Sequence, residues 1–433
     1  MRDNIRPRRR GFLLLATALA LAGAIAASAP GASAASLAGT RGSARPSMLL
    51  PGSARLNGVY CTASTNCWGV GILESPKNAI LNQVVHWNGK KWTRGSVPSP
   101  GGNKPDDSSQ LGAVRCTSAT NCWAVGTFSN ATTSGLQALH WNGKHWGQTP
   151  VPAPAGTGNG DFNDLNDVAC TSASSCWAVG DYGNVSPGGE VSRNLALHWT
   201  GKKWFKVSTP NPSGTSNDDV NGLYTVRCTS PDNCWAGGSN GSVAGPGLQF
   251  NEMLHWNGKH WSAADVPSPT GIFPGVYNAI GSLSCTSASN CWAVGIYGGG
   301  SPSPTFLNEA IQWNGHNWTQ VKTPNPDGTA PGDSSELASV NCSAANNCWA
   351  VGNLGTISSG GAETGEVLHW KGVKWSAVKA PNPGGTGSGD QNNLSSVRCV
   401  SQKDCWIVGF SRADPDPDLN LTLHWNSKTW SAS

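Results

Sequence analysis

Charge is scarce in this 433-residue chain: 12% of residues are charged, the formal net charge is +4, and the Lys and Arg are scattered among Gly, Ser and Asn. That pattern excludes the basic stripe of a nucleic-acid footprint. Long apolar runs are also missing. Beyond the N-terminus no stretch approaches the roughly 20 apolar residues that a membrane span needs. Sustained helical periodicity is absent, as are a nucleophile elbow, a zinc-protease helix and a phosphate-binding glycine loop. No cysteine precedes Cys61, which excludes a lipid-anchored N-terminal cysteine.

The residues that are abundant define an all-β chain. Gly (55) and Pro (28) are accompanied by many Ser, Thr and Asn, a composition of short strands and frequent turns. Residues 1–34 read as a secretory signal peptide, with basic Arg2 to Arg10, an apolar run from Gly11 to Ala27, then Pro30 and Ala32-Ser33-Ala34. Arg9-Arg10-Gly11-Phe12-Leu13 fits a twin-arginine pattern, but the many cysteines favour the Sec route and oxidation outside the cell.

One pattern recurs seven times between Leu56 and Trp430: L-x-x-V-x-C-x5-C-W-x-x-G, a variable stretch, then L-H-W-N-G-K-x-W. Repeats begin near 56, 111, 165, 223, 280, 337 and 394. The cysteine pairs are Cys61/Cys67, Cys116/Cys122, Cys170/Cys176, Cys228/Cys234, Cys285/Cys291, Cys342/Cys348 and Cys399/Cys405, which uses all 14 cysteines. Three tryptophans per repeat use all 21. The expected architecture is a seven-bladed β-propeller over 53–433, with four antiparallel strands and one disulfide per blade. Each disulfide closes a small loop and contributes about 2 kcal/mol. C-x5-C is not a usual zinc spacing, and the histidines lie far along the repeat from it. In the second repeat the strands are expected at 111–116, 122–126, 138–141 and 144–151, with Asn142-Gly143 as a two-residue type I′ turn. That turn would put Leu139, Trp141, Lys144 and Trp146 on one face and His140 on the other. Residues 35–52 form a linker, of which Ser47 to Pro51 are expected to complete the last blade.

The order of turn, V-G strand, hairpin and following Trp resembles the kelch repeat of galactose-oxidase-type propellers. Cys291-Trp292-Ala293-Val294-Gly295 also resembles repeat proteins secreted by soil bacteria, mostly of unassigned function. The chain departs from kelch in its paired cysteines and in keeping the double glycine only at Gly237-Gly238. No cysteine is spare for a tyrosine cross-link, so copper chemistry does not carry over, and no cofactor is expected.

Alternation places the short turns on one face of the disc and the long, variable segments on the other, as at Asp181 to Asn194, Ser239 to Asn251 and Pro152 to Asp164. Binding is expected on the variable face. Asp107, Asp161, Asp219, Asp333 and Asp390 stand four residues before the first strand, with Val276 and Gly52 at the other two repeats. They could ring a channel mouth and hold a cation or sugar, or each could close an Asx turn, the plainer reading. Glu252, Glu309 and Glu366 recur before the third-strand Trp. They read as blade-to-blade hydrogen bonders rather than as a glycosidase pair. Phe128, Tyr182 and Tyr297, with Phe162, Phe273 and Tyr277, are candidate sugar-stacking or loop-packing rings. His86, His140, His198, His255, His369 and His424, replaced by Gln312 in one repeat, read as structural. Asp414, Asp416 and Asp418 could touch Ca²⁺. The function expected is a secreted, monomeric, non-enzymatic module binding a glycan, cell-wall polymer or protein, and the rival is a glycan-active hydrolase or lyase.

Overall fold

The computed structural model describes residues 52–433 except 159, 187–188, 245–246, 270–274, 300–303 and 356–360. The expected signal peptide and the Ser47 to Pro51 extension lie outside the described residues, as does Phe273. The described residues form 28 strands, four antiparallel strands to each repeat. In the second repeat these are Ser108–Ser118, Asn121–Ser129, Ser134–Trp141 and Trp146–Thr149. Cys116 sits opposite Cys122 across the first turn, and all seven expected cysteine pairs are bonded.

Two local expectations fail. The turn after the third strand holds four residues, since Trp141 pairs directly with Trp146. Asn142 organises it: its Oδ1 accepts the N–H groups of Lys144 and His145 at 3.0 and 3.1 Å, while Gly143 takes φ 90°. Lys144 therefore leaves the strand, although Trp141 and Trp146 still share a face. The variable segments are also more ordered than expected. The second strand of the third repeat runs to Ser186 and the third begins at Gly189, so Asp181 to Asn194 is largely hairpin. Polar residues at inward positions hide this extension. Ser192 is fully buried, and its hydroxyl bonds to Asn221 O across the repeat boundary at 2.8 Å.

The expectation of seven separate four-stranded blades is overturned. The strands make one eight-stranded and five four-stranded sheets. The first two repeats fuse where Ile80 pairs in parallel with Ser108, Ile80 N–H donating to Asp107 O at 2.9 Å. Similar main-chain bonds cross other boundaries, from Phe306 to Asp333 and from Glu363 to Asp390, without merging the sheets. The third strands thus reach the next repeat's first strand, and sheet number is not repeat number.

The fold is an all-β propeller. First strands adjoin one another around the axis, and the last, Gln391–Ser401, returns to the first, Ala54–Ala63. Two belts hold the ring. On the inner belt, a side-chain oxygen three residues before the first cysteine accepts a main-chain N–H of the next repeat. The bonds run from Val226 to Asp167, Leu283 to Thr225, Val340 to Ser282, Val397 to Ser339 and Val59 to Ser396, at 3.0–3.3 Å. On the outer belt, each second-strand tryptophan meets two tryptophans of the following repeat. Trp123 lies 4.7 Å from Trp199 and 5.1 Å, edge-on, from Trp204. Trp406 closes the belt on Trp87 and Trp92 at 4.7 and 5.2 Å. Edge-to-face rings add about 0.5–1.5 kcal/mol per pair beyond their burial. At the closing junction Arg55 pairs with Asp418 at 2.5 Å, and Ala54 N–H donates to Asp418 O.

Candidate functional site

The cysteines serve the core, although first members such as Cys228 and Cys285 reach a groove on the surface. The second member of every pair, Cys67, Cys122, Cys176, Cys234, Cys291, Cys348 and Cys405, is fully buried in the apolar core. Each lies opposite the third-strand tryptophan of its own repeat, as Cys67 does with Trp87, Cys176 with Trp199, Cys234 with Trp256, Cys348 with Trp370 and Cys405 with Trp425. The strand register that lets the two sulfurs meet also turns the second one inward. First members such as Cys170, Cys228 and Cys285 are only partly covered, yet they carry no thiol, because no described cysteine is free. These residues are core staples, and a ligand cannot reach the inner half of any pair.

The five expected aspartates share one local device. Each follows a glycine by five residues: Gly102, Gly156, Gly214, Gly328 and Gly385, at φ between 89° and 116°. The aspartate Oδ2 accepts the N–H three residues upstream, of Lys104, Gly158, Ser216, Ala330 and Gly387, at 2.7–2.9 Å. Its own N–H returns to that residue's carbonyl. A Cβ on the glycine would stand 2.2–2.9 Å from the carboxylate oxygen, so glycine is required by both φ and space. Asp161 and Asp390 also take Asn184 Nδ2 and Asp414 N–H on their second oxygen. These carboxylates are engaged by their own turns.

The buried glutamates work between repeats. Glu252, Glu309 and Glu366 accept the side-chain N–H of Asn194, Asn251 and Asn308, the last two at 2.7 and 2.6 Å. The equivalent pair of the first two repeats is Asn82 with Gln137, and there two bonds form, at 2.6 and 3.0 Å. In the glutamate pairs the second carboxyl oxygen and the asparagine Oδ1 have no partner. A protonated carboxyl supplies the hydrogen that the glutamine amide supplies. Burial favours that form: it pushes Glu309 up to about 8 and Glu252 and Glu366 well above the ordinary carboxylate range.

Histidines complete this inventory. Asn66 Nδ2 donates to Thr62 Oγ1, which turns Asn66 Oδ1 toward His86, whose Nε2 donates to it at 2.6 Å. His140, His255 and His369 repeat the bond with Asn121, Asn233 and Asn347, and His198 and His424 use Ser175 and Asp404. Each of the six also lies within 4.6 Å of its own second-strand Trp ring, at interplanar angles of 2–35°. The Asp414, Asp416 and Asp418 run does not converge: Asp418 is buried on Arg55, while Asp414 and Asp416 are exposed. Among the described residues no three His, Cys, Asp or Glu side chains gather as a metal site.

Most candidate aromatics pack locally. Phe128 lies against Gly135, Tyr277 meets Phe306 edge-on at 6.2 Å, and Tyr297 is half-buried with its hydroxyl pushed up by burial and by Glu309. Tyr182 differs. Lys206 Nζ stands 3.9 Å from its ring centroid and donates to its hydroxyl at 2.6 Å. On the other side of the same edge strand, Trp204–Val207, Lys203 Nζ stands 4.4 Å from the ring of Phe205, which is 39% exposed. Sequence reasoning missed Phe205. The signal was available: the equivalent positions hold Thr93, Gly147, Ser262, Thr319, Ser376 and Ser431, so the third repeat alone carries a large ring there. Also on the short-turn face, a groove of about 790 Å³ runs between the fourth and fifth repeats, lined by Cys228, Asn233, His255, Cys285, Thr286 and Trp313.

No family model and no curated protein matches this chain. Solved β-propellers are similar in structure only at a distance. The β-propeller domain of the Trilobed protease from Pyrococcus furiosus is 9% identical, with 88% of this chain and 97% of that one aligned at a TM-score of 0.46. The fucose-recognising lectin of the fungus Aleuria aurantia, six-bladed, is 15% identical over 78% and 100% at 0.43. The Penicillium chrysogenum α-L-arabinanase, solved with arabinobiose, is 12% identical over 69% and 89% at 0.39.

Proposed function

We propose that this protein is a secreted, non-enzymatic binding propeller of kelch-like type that recognises an extracellular glycan or cell-wall polymer at the rim of its third repeat and the adjoining long segments. Seven disulfides suit an oxidising compartment, and no helix among the described residues is long and apolar enough to span a membrane. The observation that carries the reading is the pair of lysine-capped rings, Tyr182 with Lys206 and Phe205 with Lys203, on a chain whose other repeats are small at the Phe205 position. The exposed Phe205 ring and the uncovered part of Tyr182 offer apolar surface to pyranose C–H groups, and the ammonium groups beside them donate to hydroxyls or acidic substituents. Phe205 is the exposed ring of the pair, at a position where the other repeats hold Thr, Gly or Ser, and that departure from the repeat supports a ligand there.

The hydrolase or lyase reading has lost its best candidates, because the five repeated aspartates cap turns and the three glutamates pair with asparagines. The test is binding and turnover on one glycan panel, acidic and neutral, using oxidised residues 35–433 with and without Ca²⁺. Binding without turnover is expected, weakened about tenfold or more by Tyr182→Ala or Phe205→Ser. Turnover would overturn the non-enzymatic reading, and binding unaffected by both variants would overturn the assignment of the rim.

A further inference from the structure

We propose that the short-turn end of the central channel binds an oxyanion between Arg115, Arg398 and Tyr60. The inference is independent of the glycan reading, because these residues lie on the innermost strands and not on the rim of the third repeat. They occupy one register position, immediately before the first cysteine of a repeat, where the seven residues are Tyr60, Arg115, Ala169, Arg227, Ser284, Asn341 and Arg398. Adjoining first strands bring this position into one layer around the axis.

Where the residue is short and polar, the ring uses it: Ser284 Oγ accepts Cys342 N–H at 2.9 Å and Asn341 Oδ1 accepts Cys399 N–H at 2.8 Å. The arginines are placed differently. Arg227 pairs with Asp167 at 2.5 Å. Arg398 and Arg115 both lie over the ring of Tyr60, at 4.2 and 4.6 Å from its centroid, and Arg398 Nη2 donates to the Tyr60 hydroxyl at 3.1 Å. Nε of Arg398 is buried with no acceptor. Among the described residues, Asp167 is the one carboxylate acting electrostatically on this group, and it is already held by Arg227, Thr225 Oγ1 and Val226 N–H.

Arg227 and Arg115 thus act on one carboxylate while Arg398 faces the Tyr60 hydroxyl, and removing uncompensated charge from water is strongly unfavourable. Burial lowers both arginines, Arg115 to about 10, with mutual repulsion adding to it. Tyr60, Arg115, Arg227 and Arg398 each keep partial exposure, the access that a small anion needs. Guanidinium forks and a phenolic hydroxyl are donors suited to sulfate, phosphate or a sugar carboxylate.

The first readout is the melting temperature of the oxidised wild-type chain against sodium sulfate, with sodium chloride at matched ionic strength. A saturable sulfate-specific rise is expected, with affinity falling about tenfold in Arg115→Gln or Arg398→Gln and unchanged in the exposed-turn variant Lys259→Gln. Glucuronate compared with glucose then separates a bare ion from a sugar carboxylate: a glucuronate response that needs the same arginines supports the site with sugar as the source. A second readout needs no variant. Sulfate should raise the ionisation pH of Tyr60, followed by phenolate absorbance, by neutralising the guanidinium groups beside it. Equal responses to sulfate and chloride would overturn the proposal. So would Tyr60 ionising near neutrality indifferent to sulfate, since the phenolate would then be the counter-charge.

Discussion

At the scale of single residues, repetition marks structural work. The asparagine–glutamate pairs make this testable through pH. Glu309, pushed up to about 8, holds its proton in the folded state well above the pH at which the unfolded chain loses it. Its contribution is therefore complete below about pH 4.5 and is lost as pH rises toward 8. The histidines act with opposite sign. Burial lowers His86, His140, His198 and His255, and burial with Lys371 lowers His369 to about 4, so their contribution is lost as pH falls below about 6.5. Above pH 7 these five histidines are neutral in both states and the several raised carboxyls dominate, with Tyr60, which is lowered, acting in the opposite direction. Thermal unfolding from pH 7 to 9 should show declining stability, and Glu309→Gln, which reproduces the Asn82–Gln137 pair, should reduce that slope. Glu336, also near 8, keeps part of it. An unaltered slope in Glu309→Gln would mean that the carboxyl is ionised in the folded protein.

At the scale of strands and turns, what the sequence made legible depended on how local its cause was. Cysteine pairs and the Trp-rich hairpins were readable because both partners lie within a few residues. The burial of Cys67, Cys176, Cys234, Cys348 and Cys405 was not, because it depends on the third strand, some 20 residues further on, laying its tryptophan across them. The Asn142-Gly143 turn was misjudged because Asn142 prefers an Asx bond to two following N–H groups over a tight two-residue reversal. The inner belt was missed because its partners lie 58 residues apart, as for Ser282 and Val340, although the recurrence of Asp167, Thr225, Ser282, Ser339 and Ser396 was on view. Ser282→Ala should leave the Val340 N–H without its acceptor and cost about 1–2 kcal/mol in denaturant unfolding. Trp292→Ala, which empties the contact with Trp370 and Trp375, should cost about 3–5 kcal/mol. A smaller loss for the tryptophan than for the serine would contradict the importance given to the outer belt.

At the scale of the whole molecule, the repeat period announced a ring, but the number of sheets was decided by one parallel bridge at Ile80 and Ser108, which no periodicity encodes. Closure uses the same Trp406–Trp87 contact as every other junction, reinforced by Arg55 and Asp418. Arg55→Ala leaves the buried Asp418 carboxylate with only the more distant Arg412, 3.9 Å away, and should lower stability by about 3 kcal/mol. Of the expected site residues, Tyr182 carries Lys206 on one side of the edge strand and Phe205 with Lys203 lies on the other, whereas the aspartates belong to the turns and the second cysteine of each pair to the core. The central claim is that residues common to the repeats build the ring and that departures from the repeat bind the ligand. The most direct measurement is the melting temperature and glycan affinity of two proteins in parallel, Asp219→Ala and the double variant Phe205→Ser with Lys206→Ala. A lower melting temperature with intact affinity is predicted for the first, and lost affinity with an unchanged melting temperature for the second. Lost affinity in Asp219→Ala with its melting temperature intact, and full affinity in the double variant, would contradict the claim.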